Sequence, residues 1–221
     1  MPVGSFMLRD QKEEVYNHMK RLALEYTIID VGWWYQIAFP ALPSGKIDYA
    51  AAMPKQSIAG DGTQPSALTD LRDIGKYVAK VILDNRTKNK MVLVYNEMWS
   101  QNQIWDCLEE MSDEKIPRNY TSLDMLENYI SDADAKLQHQ PMDFALMIQK
   151  VSSQYQISWG IRGDNTPEYA KYLGYITSKE LYPDMEFTTF EGYLQEVLDG
   201  KAKGVYNELK AQFSEAVKFK K

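Results

Sequence analysis

One cysteine and two histidines in 221 residues remove several chemistries at once. A lone Cys107 forms no intramolecular disulfide, which suits a reducing interior, and two histidines with one thiol fall short of the usual zinc-ligand sets. No apolar run reaches the roughly 18 residues of a membrane span. The N-terminal MPVGSFMLRDQKEE turns charged by Arg9, so no signal peptide is expected either. Charge of one sign is never gathered into a stripe: 25 Lys and Arg are scattered among 31 Asp and Glu, for a net charge of −6. That pattern argues against nucleic acid as a partner. The one cluster of like charge, Lys218, Lys220 and Lys221, reads as a solvated terminus. A soluble, cytoplasmic protein is expected.

What is present is core-forming material, 44% hydrophobic residues in a chain long enough for one domain or slightly more. Residues 7–22 carry Met7, Leu8, Val15, Met19 and Leu22 at helical spacing. YTIIDV then has the β-branched density of a buried strand, stopped by Gly32. Residues 40–66, rich in Pro and Gly, read as loop with short strands at KIDYA and QSIAG. TDLRDIGKYVAKVILDN predicts a helix capped by Thr69 or Asp70, with Ile74, Val78, Val81 and Ile82 on its packing face. KMVLVYN predicts a second buried strand, and SQNQIWDCLEEM a helix capped by Ser100 that packs through Ile104, Trp105 and Leu108. Strands alternating with helices imply an α/β layer. Beyond EKIPRNYT the alternation stops, and helices are expected at 122–137, 142–156, 189–199 and 204–218.

Four stretches in this order carry a resemblance: RDQKEEVYNHMK leading into YTIIDVGWW, GDGTQPSALTDLRDIGKYVAKVI, KMVLVYNEMWSQNQIWDCLEE, and SWGIRGDNTPEYAKYLGY. Together they resemble the C-terminal two-thirds of fungal NmrA-like, isoflavone-reductase-like proteins, a group of atypical short-chain dehydrogenases. The resemblance implies an α/β fold with an incomplete Rossmann-like parallel sheet in residues 1–117 and a mostly helical substrate or cap region in 118–221. It also implies NADP or NAD as cofactor. Family members open with a strand, a G-x-x-G-x-x-G turn and a helix that receives the pyrophosphate. That segment is missing from these residues, since Gly60, Gly62, Gly160 and Gly163 read as ordinary turns. A truncated gene model, splice form or fragment, inactive by itself, is therefore expected.

By the same resemblance Lys12, 14 residues ahead of Tyr26, is the catalytic candidate. A partly desolvated ammonium donates to a developing alkoxide or lowers the pKa of a neighbouring hydroxyl. Read from the residues alone, Lys12 is a solvated helix lysine among Glu13, Glu14 and Lys20. Gly32 and Trp33 follow a strand end, where open α/β sheets place their ligands, and are the candidates for the cofactor's nicotinamide. Trp34 and Tyr35 are read as substrate walls or, equally, as aromatics sealing the joint between layers. Trp159 and Arg162, with Gly160 and Asp164, make a candidate lid over the substrate, although an Arg162–Asp164 loop pair is the simpler account. His18 and His139 lack triad partners, Asp70 and Asp73 read as helix-start residues, and Cys107 is held unreactive by neighbouring acids. No metal site is expected.

Two functions follow. One is an NAD(P)H-dependent reductase of a small planar or aromatic substrate, assisted by Lys12. The other is a non-catalytic NmrA-like sensor of dinucleotide redox state that binds a protein partner or a second copy. Lys12 favours the first, because the regulatory members of the resembling family need no such lysine.

Overall fold

The computed structural model describes residues 7–52 and 57–205. The expected helix at 204–218 and the terminal lysines lie essentially outside these residues. Helix α1 (Met7–Arg21) leads through a short turn into strand β1 (Thr27–Asp30). Strand β2 (Trp33–Trp34) and the one-turn helix α2 (Tyr35–Ala38) follow at once. Next come β3 (Ile58–Ala59), β4 (Pro65–Thr69), helix α3 (Leu71–Val81), β5 (Lys90–Leu93), β6 (Glu97–Ser100) and helix α4 (Gln101–Ser112). After β7 (Tyr120–Thr121) the chain is mostly helical: α5 (Leu123–Leu137), α6 (Phe144–Tyr155), a π-helical stretch Gln156–Ile161, and α7 (Pro167–Tyr172). Strand β8 (Ile176–Thr177), α8 (Ser178–Leu181) and α9 (Phe190–Leu198) close the described chain.

The two strands expected to share a parallel sheet do so. β1 and β5 pair in register Ile29↔Val92, and β8 adds on the far side of β5 at Val92↔Ile176, again parallel. Their apolar runs follow from burial on both faces. Val92 and Val94 pack with Tyr77, Val81 and Leu181, whereas Leu93 packs with Ala170 and Tyr175 on the other side. A second small sheet orders β2, β4 and β6, with β2 and β4 parallel and β4 and β6 antiparallel. The largest cluster of buried side chains joins α2, α4 and α9 through Tyr35, Phe39, Ile104, Trp105, Leu108, Phe190, Tyr193 and Leu194.

Three expectations are corrected. KIDYA is not a strand: bonds from Asp48 N to Gly45 O and from Ala50 N to Ile47 O close successive turns, with Gly45 at φ +74°, so this backbone needs no ladder while Ile47 is buried. Conversely, β4 arises where a loop was expected. Pro65 takes the first position of that strand, where a missing N–H is tolerated, and its buried Ser66 and Thr69 are bonded to Asn165 and to the Val94 carbonyl. In α3 the buried face is Asp73, Tyr77 and Val81, while Ile82 is 65% exposed. The buried Asp73 is a polar residue that apolar periodicity does not register. The expected caps are present: the Asp70 side chain accepts from Arg72 N at 2.8 Å, and Ser100 with Gln103 forms a capping box on α4.

Candidate functional site

The carboxyl end of β1 turns at Gly32, whose φ is +65°. A Cβ there would stand 2.5 Å from the Ala67 carbonyl oxygen, so both the left-handed backbone and the contact with β4 require glycine. Gly32→Ala is expected to cost about 2 kcal/mol or more from these two penalties combined and to shift Trp33. Thermal melting and tryptophan fluorescence check this, and a variant as stable as the wild type with unchanged emission contradicts it.

Trp33 leaves this turn and stacks on Trp159, with ring centroids 4.1 Å apart and planes at 28°. Trp159 belongs to the π-helical stretch, a form of helix often found at functional sites. The stretch lies against β3 because Gly160 has no side chain: a Cβ there would meet the Ala59 Cβ at 2.6 Å. Just beyond, Asp164 accepts from the Ser158 hydroxyl at 3.0 Å and from the Arg162 guanidinium. The structure thus brings Gly32, Trp33 and Trp159 together. Arg162 is engaged by Asp164, the simpler of the two accounts given above.

Trp34 stands half-buried beside them on β2. Tyr35 does not line this surface. It is fully buried, its hydroxyl donates to Glu97 at 2.7 Å and its ring meets Phe190 edge-on. Burial first, and then the Glu97 bond, push its phenol far above the ordinary range. Lys12 lies exposed on α1.

A polar cluster surrounds Asp30 at the same strand end. The Tyr175 hydroxyl donates to Asp30 Oδ2 at 2.7 Å, and Arg9 of α1 reaches both, 3.5 Å from the Tyr175 oxygen and 3.7 Å from Asp30. Arg9 also pairs with Glu13 at 2.7 Å and lies over the Tyr16 ring. Burial first, and then the charge of Asp30, raise the phenols of Tyr16, Tyr155 and Tyr175. All three therefore stay protonated near neutrality. Sequence reasoning passed over Arg9 and these tyrosines. The available signal was Asp30, the one charged residue in an otherwise apolar strand, which needs a partner once half-buried.

The remaining candidates are quiet. Burial first, followed by the charges of Glu191, Glu110 and Glu97, pushes the Cys107 thiol up to about 11. The unreactive thiol is as expected, but the acids involved are not its immediate neighbours, since Asp106 and Glu109 are taken by Arg118. Among the described residues no three His, Cys, Asp or Glu side chains gather as a metal site, and no helix is long and apolar enough to cross a membrane.

The chain is similar to several known proteins. Residues 5–194 match the NmrA-like family. The chain is 47% identical over 200 residues to asnovolin J 5',6'-dehydrogenase of Aspergillus novofumigatus, a match covering 89% of this chain and 61% of that protein. It is 23% identical to an isoflavone reductase-like protein of Olea europaea, covering 84% of this chain and 56% of the other. Among solved structures, the leucoanthocyanidin reductase–NADPH complex of Vitis vinifera superposes with a TM-score of 0.68 at 20% identity, covering 87% of this chain and 58% of that one. Isoflavone reductase superposes at 0.66, also at 20% identity, with 86% and 58% covered. At that identity the likeness is one of fold, and the chain spans about three fifths of the length of the relatives named here. With the family match reaching from α1 into α9, the chain belongs to the NmrA-like family.

Proposed function

We propose that the protein is an NAD(P)H-dependent oxidoreductase of a small planar or aromatic substrate. The observation that carries this reading is the Trp33–Trp159 stack, set directly after the glycine turn at the carboxyl end of a parallel strand, where α/β sheets hold their ligands. A relative at 47% identity named as a dehydrogenase supports the same reaction class. Residues 1–117 would then serve the cofactor side and 118–221 the substrate side, in a cytoplasmic setting where reduced nicotinamide is at hand.

The residues present fit the nicotinamide end of such a cofactor rather than its pyrophosphate. Gly32 turns the backbone at the strand end so that Trp33 follows it, whereas Gly60 and Gly62 lie in the turn between β3 and β4, ahead of a strand and not a helix. When bound, NADP or NAD supplies the hydride chemistry. Gly32 and Trp33 would wall its nicotinamide, and Trp34 and Trp159 would hold the flat substrate and exclude water. The Lys12 ammonium would offset negative charge developing on a substrate oxygen. Arg162, turned to Asp164, would brace the Trp159 segment.

A second reading, the non-catalytic sensor bound to a partner protein or a second copy, draws on apolar side chains left exposed along α5, α6 and the turn between them, among them Met125, Tyr129, Met142 and Phe144. Turnover separates the two. With the chain completed by the strand, glycine turn and helix that the resembling family carries, consumption of NADPH or NADH with a panel of planar enones and aryl ethers is expected, and Trp159→Leu should raise KM roughly tenfold while sparing kcat, as loss of ground-state stacking does. No consumption with any of the panel, or a KM untouched by Trp159→Leu, would favour the sensor.

A further inference from the structure

Helix α1 has no buried residue. Fifteen residues of isolated helix are marginal in water, so its seat on the molecule depends on specific ties. Two lie in its first turn. The Met7 N–H donates to Gln154 at 3.2 Å, and the Arg9 guanidinium lies against Tyr175 and Asp30. Asp30 is fixed in turn by β1 and by the Tyr175 hydroxyl. Arg9 therefore joins a loosely packed helix to the carboxyl end of the central strand, and Lys12 follows it by three residues, on the adjacent flank of the same helix.

We infer that Arg9, received by Asp30 and Tyr175, is a positioning residue that fixes the height and rotation of α1 over the strand end and so sets where Lys12 stands. The planar guanidinium suits the task, because its Nη2 faces the phenol oxygen and Glu13 while its Nη1 pairs with the Asp30 carboxylate at 3.7 Å, which a lysine ammonium on a flexible stem reproduces only in part. Tyr175, kept protonated by burial and by Asp30, holds the carboxylate in place to receive it. The consequence for turnover rests on Lys12 being the reacting lysine; the clamp itself does not.

Hydrogen exchange of the α1 amides, measured on the whole chain beside those of β1 and β5, tests the clamp. Arg9→Ala and Tyr175→Phe are each expected to speed exchange in residues 7–21 by about tenfold, the scale of one lost charge-assisted hydrogen bond. The strands should stay protected, and Arg9→Lys should give an intermediate result. A second measurement reads Lys12 directly: its acetylation rate by acetic anhydride relative to Lys20, which stands two turns further along the helix. A displaced α1 should move that ratio by twofold or more, which a general loss of stability would not. Unchanged α1 exchange and an unchanged ratio in both variants would overturn the proposal. Equal acceleration in helix and strands would do the same, by making Arg9 a general stabiliser. Neither measurement depends on turnover, so a catalytically silent Lys12 leaves the clamp standing and a failed clamp leaves Lys12 standing.

Discussion

In a chain completed with the glycine-turn segment of the resembling family, replacing Lys12 by alanine is expected to lower kcat in the NAD(P)H-linked reaction by roughly 10²-fold or more, the low end for a positioned acid or charge donor, with an unchanged melting temperature. The stability half rests on structure. Lys12 is exposed on α1 and, among the described residues, the helix's ion pairs belong to Arg9 with Glu13 and Asp30, and alanine is a strong helix former. Asp30 at the strand end is held by Arg9 and Tyr175. Two alternatives are distinguishable. Turnover equal to wild type would return Lys12 to an ordinary solvated helix position and bring forward the sensor reading. A fall of several degrees in melting temperature alongside lost activity would instead mark a structural role that the exposed position does not lead one to expect.

The parts of this molecule legible in the sequence are those where one local rule decides. YTIIDV and KMVLVYN stand out because a strand covered on both faces admits few polar residues, and the Ser100–Gln103 pair announces α4 because capping needs only residues three apart. Gly32 is legible for the same reason, as a turn residue after an apolar run. What stayed hidden depends on partners far along the chain. Nothing near Trp33 indicates that Trp159, more than a hundred residues away, will stack on it, or that Tyr175 will reach Asp30. Tyr35 was open to both a pocket and a core reading, and what places it in the core is a bond to Glu97 and a ring contact with Phe190, both remote in sequence. In α3 the rule itself misleads. Apolar spacing puts Ile74, Val78 and Ile82 inside, but the helix is rotated to bury Asp73 and Tyr77, because a network of polar partners waits for them.

That network carries the largest expected loss of stability. Asp73 is fully buried and accepts from Lys76 at 2.6 Å, from the Asn96 side chain at 2.8 Å and from the Thr188 N–H at 2.8 Å. Asn96 in turn accepts from the Tyr77 hydroxyl at 3.1 Å. One carboxylate therefore ties α3 to the turn after β5 and to the segment that begins α9. Asp73→Ala removes all three bonds. Lys76 is half-exposed and regains water, but the Asn96 and Thr188 donors lose a charged acceptor in a buried setting. The expected cost is about 3 kcal/mol, a fall in melting temperature of roughly 6 to 12 °C for a chain of this size. Acidity gives a second signature. Burial alone would raise the Asp73 carboxyl, but the Lys76, Thr188 and Asn96 bonds together bring it below the ordinary value. A carboxylate whose folded pKa is depressed contributes stability that is fully present above its unfolded value, near 3.9, and is lost as pH falls through the folded one. Asp73→Asn keeps the shape but not the charge, so wild type should exceed it in stability at neutral pH and the gap should close with acid below about pH 4. Thermal melts from neutral pH downward measure both effects. A gap that stays constant to the acid limit would show that the carboxylate's charge contributes nothing there, and an Asp73→Ala protein within 1 °C of wild type would remove Asp73 as the tie between α3 and α9.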